Sequence, residues 1–395
     1  MRKLLIFFII AVLLAGSLSA CGFIVNKEPY MTLKDIDFTA KGIYLTGYHQ
    51  DLLLSPDGRK IACSGYYYNN DNNNVSSRLV LADLSSGETT AFNNADKVLA
   101  WLPDSHTLVY QYEGTLYLLN TGTGKKTEIA QDSWFASVSP DGRQLAYAKL
   151  GDGLFIYDIE TGQSKRLTKN NEDRYPVWYP DGKHLFYFCD LGKQLGDGAG
   201  YLQGMAKISV ATGQIERITE AEGKFRQAQW LIPGRALHII SGWDDGYSHA
   251  ILNLERQKYV ELGENIIGDA FFVTVDTGKG QLIKSYRGQV EIYDELGDKI
   301  KSYCLPETHQ TNFNYTVSPR GDKLAFVQGD FGRFGDSQIN GNQVKISDYD
   351  GQNVHTLTPE YKYNDSIVWH PDGQNIIALQ MDQEKILGIK ILAVP

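Results

Sequence analysis

The stretch Ser139-Pro140-Asp141-Gly142 recurs, with variations, along this chain of 395 residues. Proline presets φ at the first turn position and glycine accepts the positive φ that the turn needs, so each copy predicts a tight turn between two strands. The prolines lie roughly 40 to 50 residues apart, the period of propeller blades. The clear copies are Ser55-Pro56-Asp57-Gly58, Tyr179-Pro180-Asp181-Gly182 and His370-Pro371-Asp372-Gly373, and the weaker ones are Leu102-Pro103-Asp104-Ser105, Ile232-Pro233-Gly234, Val275-Asp276-Thr277-Gly278 and Ser318-Pro319-Arg320-Gly321.

The unit around Pro140 predicts a meander of four strands, A to D, with turn signals between them: residues 135–138, 144–148, 154–158 and 164–168. A lone unit of this kind cannot bury both of its faces, so successive units must stack. A radial arrangement of the units protects their edges. Eight strand A positions therefore predict an all-β, eight-bladed propeller of four-stranded antiparallel blades. Seven blades is the alternative if the weak sixth unit is misread.

The eighth unit contains strands A, B and C, and the sequence then ends at Pro395. The segment 42–46 near the other end resembles the D strands of other units. We therefore expect the N-terminal strand to pair with the segment from Leu387 onward and to close the ring. This places the propeller at residues 36–395. Four tryptophans stand at the end of strand A, where the repeat predicts blade-to-blade packing: Trp101, Trp178, Trp230 and Trp369.

The first twenty residues have the features of a targeting segment. Arg2 and Lys3 precede an apolar run at residues 4–14 that is too short to span a bilayer. The sequence Leu18-Ser19-Ala20-Cys21 then resembles a bacterial lipobox, and an ordinary secretory signal is the alternative. We predict a signal peptide at 1–20, lipidation of Cys21, and a tether at 21–35. More than one acyl chain holds a protein stably at a membrane, so we expect anchoring on the extracytoplasmic face.

The charge of the chain restricts its partners. Without residues 1–20 it has 36 basic and 47 acidic residues, a formal charge of about −11. Such a charge argues against nucleic acid as a partner and against a polybasic membrane surface. We expect a monomer without a cofactor, whose partner is an envelope protein, a peptide or a saccharide.

The Pro-Asp-Gly turns and the Leu-Thr pairs that end the units, such as Leu167-Thr168 and Leu357-Thr358, resemble the propeller of TolB and related WD-like propellers of the bacterial envelope. The resemblance covers nearly all of residues 31–395. It implies a propeller in the cell envelope and identifies a fold better than an activity.

The longest predicted loops all join strands B and C, at residues 65–77, 190–203 and 329–342 of blades 1, 4 and 7. In a ring of eight they surround one mouth of the channel, and loops carry function more often than the scaffold does. Aromatic side chains beside amides and carboxylates suit carbohydrate or peptide binding. The candidate binding residues on this face are Tyr66, Tyr67, Tyr68, Trp243, Asp244, Asp245, Tyr247, Phe331, Arg333 and Phe334.

Two other chemistries are open for the same loops. The Asn/Asp run at 69–74 and the Asp244-Asp245 pair could bind calcium through oxygen ligands, although neither follows the EF-hand order. The aspartate pair could also act in acid/base catalysis, although a pair in a loop is more often solvated. We assign no metal site and no catalytic residue.

A non-catalytic binding or protein-assembly platform is the function that the sequence favours. No Gly-x-Ser-x-Gly motif of α/β-hydrolases follows residue 20, and no phosphate-binding Gly-x-x-x-x-Gly-Lys-Ser/Thr loop is present. Some propeller lyases with similar repeats hold a metal through histidines, and the eight histidines of this chain are scattered. A propeller hydrolase or lyase that acts on saccharides is the alternative.

Overall fold

The computed structural model describes residues 32–46, 52–69, 74–194, 201–243, 246–266, 272–286, 288–305, 311–329, 342–358, 363–382 and 385–395. Within these ranges the strands form eight four-stranded blades in a ring, and every strand pairing is antiparallel. The all-β, eight-bladed prediction is therefore confirmed, and the seven-bladed alternative is wrong.

Each blade runs from strand A near the axis to strand D at the rim. Blade 1 comprises Leu52–Leu54, Lys60–Asn69, Asn74–Asp83 and Thr89–Asn93. Blade 2 comprises Lys97–Trp101, Thr107–Tyr112, Thr115–Asn120 and Lys126–Ala130. Blade 3 comprises Ser133–Val138, Gln144–Lys149, Gly153–Asp158 and Gln163–Arg166. Blade 4 comprises Arg174–Trp178, His184–Gln194, Tyr201–Ser209 and Ile215–Gly223.

The second half of the ring repeats this order. Blade 5 comprises Phe225–Ile232, Ala236–Trp243, Gly246–Asn253 and Lys258–Ile266. Blade 6 comprises Phe272–Asp276, Gln281–Tyr286, Gln289–Tyr293 and Lys299–Cys304. Blade 7 comprises Thr311–Val317, Lys323–Gly329, Gln343–Asp348 and His355–Thr356. Blade 8 takes Tyr363–Trp369, Asn375–Asp382 and Lys385–Ala393 from the C-terminal part of the chain.

The N-terminal segment supplies the missing outer strand of blade 8, which confirms the predicted closure. It does so in two short pieces, Ile36–Asp37 and Leu45–Thr46, separated by the 3-10 turn Thr39–Lys41. Ile36 pairs with Ile389 and Leu45 with Ile386, while Thr46 also pairs with Tyr66 of blade 1. Between the two pieces, the Phe38 ring is completely buried in a core shared by blades 8 and 1. Burial of this ring is a main source of the stability of the closure.

The Pro-Asp-Gly turns form a packed layer on one face of the ring. Ser139 Oγ donates to Asp141 Oδ1 at 2.6 Å, and the backbone N–H of Gln144 donates to Ser139 Oγ at 2.9 Å. Gly142 has φ +72°, and a Cβ there would lie 2.9 Å from Cδ of Pro103 in the preceding blade. Glycine is therefore required both by the turn and by the close approach of the neighbouring blade.

The strand A tryptophans join neighbouring blades, which confirms their predicted packing role. In each case the indole Nε1 donates to a strand A carbonyl oxygen of the preceding blade. The pairs are Trp101 with Leu53 at 3.0 Å, Trp178 with Ser137 at 3.0 Å, Trp230 with Trp178 at 2.7 Å and Trp369 with Thr316 at 3.1 Å. A buried indole N–H without an acceptor would be costly, so these bonds also fix the spacing of the blades.

The prediction of long B–C loops in blades 1 and 4 is wrong in detail. The strands continue as extended hairpins to Asn69 and Asn74 in blade 1, and to Gln194 and Tyr201 in blade 4. The backbone N–H and C=O groups of these segments bond across the strand ladder, whereas in a loop they would bond to water. Most of the third predicted loop, residues 330–341 of blade 7, lies outside the described residues.

Candidate functional site

The exposed large apolar side chains are concentrated on one face of the ring. We call this the loop face: it carries the B–C and D–A connections, opposite the Pro-Asp-Gly turns. Of the eight such side chains among the described residues, Ile215 and Ile300 lie at the opposite ends of their strands, and Tyr44 directly precedes the short strand Leu45–Thr46. The other five lie at loop-face ends of strands or in a B–C turn: Tyr66, Trp134, Leu150, Tyr201 and Tyr247.

A cleft of about 190 Å³ opens on the loop face between blades 3 and 4. Its residues come from strands A and B of blade 3, from the connection between the two blades, and from the start of strand A in blade 4. They are Trp134, Phe135, Ala148, Lys149, Leu150, Asn171, Asp173 and Arg174. The cleft therefore combines an apolar wall with a few polar groups, as small-molecule sites generally do.

Trp134 forms an exposed wall of the cleft, with 42% of its surface open to solvent. Its ring lies against the B–C turn of blade 2, because a Cβ placed on Gly114 would be 3.7 Å from the ring. The backbone N–H of Ser133 also donates to the carbonyl oxygen of Gly114 at 2.8 Å. Trp134 is absent from the sequence-based candidates because those residues were sought in B–C loops, whereas Trp134 lies at the start of strand A.

Two strained aromatic residues lie beside the cleft. Phe135 and Tyr175 have φ of +56° and +53°, and each occupies an irregularity in the pairing of strands A and B. Their ring centroids are 3.7 Å apart, which links blade 3 to blade 4. A positive φ costs a residue with a side chain roughly 1–2 kcal/mol, and bulges of this kind redirect side chains next to functional sites.

Asp173 is the most unusual polar group in the cleft, because only 1% of its surface is exposed. Its Oδ1 accepts the backbone N–H of Asp190 at 2.9 Å. Its Oδ2 makes no hydrogen bond of normal geometry within the described part of the chain. Burial raises the pKa of Asp173, although the side chains of Thr168 and Asn170 and the N–H of Asp190 oppose the increase. Asp173 is thus a buried carboxyl group beside the cleft, with its Oδ1 paired and its Oδ2 poorly satisfied.

Charged groups at the rim of the cleft are mostly paired. Arg174 forms an ion pair with Glu172. Lys149 lies 4.0 Å from Asp152, which also binds Arg166 at 2.9 Å. The exposed Lys149–Asp152 pair contributes little to stability, so a ligand can compete for Lys149 at small cost. The Arg174–Glu172 pair is more buried.

The structure separates the predicted binding residues of blade 1 from the cleft. Tyr66 is exposed at the loop face, and Tyr67 is half-buried with the Arg78 guanidinium 4.2 Å above its ring. Tyr68 lies within strand B, and its side chain is outside the described residues.

Tyr247 is the predicted residue of blade 5 whose side chain the structure describes. The Arg226 guanidinium is 5.1 Å from the centroid of its ring. Burial raises the pKa of Tyr175. The guanidinium groups of Arg174 and Arg226 oppose this increase, and Tyr247 adds to the increase, so Tyr247 lies near Tyr175. Trp243 ends strand B of blade 5. Its side chain, together with Cys21, Asp244, Asp245, Phe331, Arg333 and Phe334, lies outside the described residues.

The described residues lack two kinds of feature. They contain no group of three or more His, Cys, Asp and Glu side chains arranged to hold a metal ion. They also contain no helix with the length and hydrophobicity needed to cross a membrane.

Comparison with known proteins gives a sequence relative and solved structures of similar fold. No family model matches the chain. An uncharacterized protein of Agrobacterium fabrum is 24% identical over 287 residues, which cover 69% of this chain and 80% of that protein.

Three solved structures illustrate the structural likeness. Dipeptidyl peptidase 4 of Porphyromonas gingivalis is 10% identical, with 91% of this chain and 62% of that chain covered and a TM-score of 0.57. The β-propeller domain of the Trilobed protease of Pyrococcus furiosus is 12% identical, with 80% and 96% covered and a TM-score of 0.51. TolB of Acinetobacter baumannii is 15% identical, with 90% and 79% covered and a TM-score of 0.37. At such identities, the likeness to the first two structures shows a shared propeller fold.

Proposed function

We propose that this protein is a lipid-anchored, extracytoplasmic propeller that acts as a non-catalytic binding or protein-assembly platform, with the loop face as its recognition surface. The observation that supports this most is the concentration of exposed aromatic and aliphatic side chains on that face. Tyrosine and tryptophan are enriched at recognition surfaces because they combine a large apolar area with a polar group.

The opposite face supports the same assignment by contrast. Its turns are occupied by short hydrogen bonds within each turn and by close packing between blades, as at Gly142 and Pro103. That face is therefore explained by the stability of the ring, and the apolar exposure of the loop face has no such explanation. Lipidation of Cys21 would hold the platform at the membrane through acyl chains, and its negative charge would keep it from binding anionic lipid headgroups directly.

Capture of partners from detergent-solubilised envelope tests the platform. The bait is the soluble chain from residue 22, either unchanged or with Tyr66, Tyr201 and Tyr247 replaced by alanine. A matched control carries Ile215→Ala and Ile300→Ala on the opposite face, where the replaced side chains are similarly exposed. We expect the control to retain the captured proteins and the loop-face variant to lose most of them. Equal capture by both variants would contradict the assignment of the face.

Membrane fractionation tests the anchor separately. We expect Cys21→Ser to move the protein from the membrane pellet to the soluble fraction, because the acyl chains can no longer be attached. Retention of the Cys21→Ser protein in the pellet after a salt wash would mean that another interaction holds it.

A saccharide hydrolase or lyase is the second candidate, and one observation favours it. Asp173 is a buried carboxyl group with a raised pKa in a cleft, an environment that also occurs at catalytic acids. Turnover of oligosaccharides that disappears in Asp173→Asn would support this candidate over the platform.

A further inference from the structure

We propose that the cleft between blades 3 and 4 binds one sugar ring of a saccharide ligand, with Trp134 as the stacking surface and Asp173 as the hydroxyl acceptor. The proposal rests on the proposed function, because it assigns a ligand class to part of the same recognition face. The cleft lies off the axis of the ring, and none of its residues comes from the B–C hairpins of blades 1, 4 or 5.

The size of the cleft fits a single ring. Its volume of about 190 Å³ is somewhat larger than the ~150 Å³ of an engineered cavity that holds benzene. This leaves room for one substituted ring within the cleft, and further rings of a longer saccharide would extend into solvent. The exposed indole of Trp134 offers a flat apolar surface, and a pyranose presents a flat face of C–H groups to such a surface.

The polar groups of the cleft match the hydroxyls of a sugar. Asp173 Oδ2 is a buried acceptor without a hydrogen bond of normal geometry, although the side chains of Thr168 and Asn170 act on the same carboxyl group. A ligand hydroxyl would donate to it once the side chain turns towards the cleft. Lys149, Asn171 and Arg174 provide donors around the same cleft, so acceptor oxygens of the ligand would also be satisfied. Hydrogen bonds to a charged group are stronger than neutral ones, which makes Asp173 the expected specificity determinant.

Other ligand classes fit less well. A purely apolar ligand would offer no donor to Asp173 Oδ2, and a buried acceptor without a full hydrogen bond is unfavourable. A cationic ligand would have to compete with Lys149 and Arg174 for the carboxylates of Asp152 and Glu172. A carboxylated sugar would instead pair with these two basic groups, so we expect a uronic acid to bind more tightly than the corresponding neutral sugar.

The test uses two matched probes, methyl glucuronide and methyl glucoside. Saturation-transfer NMR detects binding to the soluble chain, and titration of tryptophan fluorescence measures Kd. We expect both probes to bind at millimolar concentration, with the glucuronide preferred. Trp134→Ala and Asp173→Asn should each weaken binding about tenfold, the loss expected for a stacking contact or a charge-assisted hydrogen bond.

Two further variants keep the result interpretable. Trp134→Phe retains an aromatic surface and should recover much of the binding lost in Trp134→Ala. Ile300→Ala, on the opposite face, should bind both probes as the unaltered chain does. Absence of saturation transfer from the unaltered chain, or binding that survives both Trp134→Ala and Asp173→Asn, would overturn the proposal.

These failures would differ from failure of the platform. If the sugar probes do not bind but envelope capture still depends on Tyr66, Tyr201 and Tyr247, only the ligand assignment is wrong. If capture is also independent of those tyrosines, the recognition role of the loop face is wrong as well.

Discussion

The substitution Gly153→Ala should disturb the cleft through the D–A connection that leads to Asp173. Gly153 has φ +88°, and a Cβ there would lie 2.8 Å from Thr168 Oγ1 and 3.0 Å from the carbonyl oxygen of Asn170. Thr168 Oγ1 also accepts the backbone N–H of Leu154 at 3.0 Å. The segment that the methyl group would displace continues directly to Asp173, so stability and ligand binding should change together.

The expected loss of stability in Gly153→Ala has two parts. The positive φ costs about 1–2 kcal/mol for alanine. Displacement of Thr168 removes a buried hydrogen bond worth about 1 kcal/mol. We therefore expect the free energy of unfolding to fall by about 2–3 kcal/mol, measured by urea denaturation with an unchanged m-value.

Gly151→Ala is the matched control, two residues away in the B–C turn that precedes strand C. Gly151 has φ +71° and no atom within 4 Å of the added Cβ, so only the backbone cost of about 1–2 kcal/mol applies. Gly153→Ala should also weaken binding of methyl glucuronide, whereas Gly151→Ala should not. Equal losses of stability in the two variants would refute the close packing of the D–A connection on strand C.

Two further predictions concern the scaffold. Phe38→Ala should lower the free energy of unfolding by about 3–5 kcal/mol in a denaturation experiment, because it empties a fully buried site in the closure. Tyr44 lies on the same segment and is 56% exposed, so Tyr44→Ala should change the free energy of unfolding by less than about 1 kcal/mol. His238 Nε2 and His249 Nδ1 lie 3.0 Å apart, and burial lowers their pKa values to about 3 and about 4. Because these values lie below the ~6.5 of an unfolded histidine, the unfolded chain binds more protons, and stability should decrease as the pH falls from about 6.5 towards 4. The double variant H238Q/H249Q should show a flatter dependence of the unfolding midpoint on pH, and an equally steep one would contradict this explanation.

The repeat made the fold predictable from the sequence. Proline and glycine recur in most of the A–B turns, where the φ that each turn position needs is a local requirement. Pro140 and Gly142 show this pattern. The closure was predictable because strand D was missing from the last unit. The 3-10 turn that divides the N-terminal strand was not, because it depends on burial of Phe38 between two blades.

The cleft could not be predicted in the same way. Trp134 and Asp173 are 39 positions apart in the sequence and meet only because blades 3 and 4 are adjacent in the ring. The positive φ of Phe135 and Tyr175 carries no sequence signal, since neither is glycine, asparagine or aspartate. Loop length pointed to the same face on which the cleft opens, but it indicated hairpin tips rather than the starts of A strands.

Disulfide trapping of the closure tests the central claim, that the N-terminal strand completes blade 8. Thr46 and Lys385 are paired across the antiparallel ladder, a spacing of about 4.5–5.5 Å between Cα atoms that a disulfide can bridge. We predict that a chain with Thr46→Cys and Lys385→Cys forms this bond on mild oxidation, within one molecule, as identified by peptide mass spectrometry. Free thiols at both positions in the folded, oxidised protein would contradict the closed ring and every assignment of residues to its loop face.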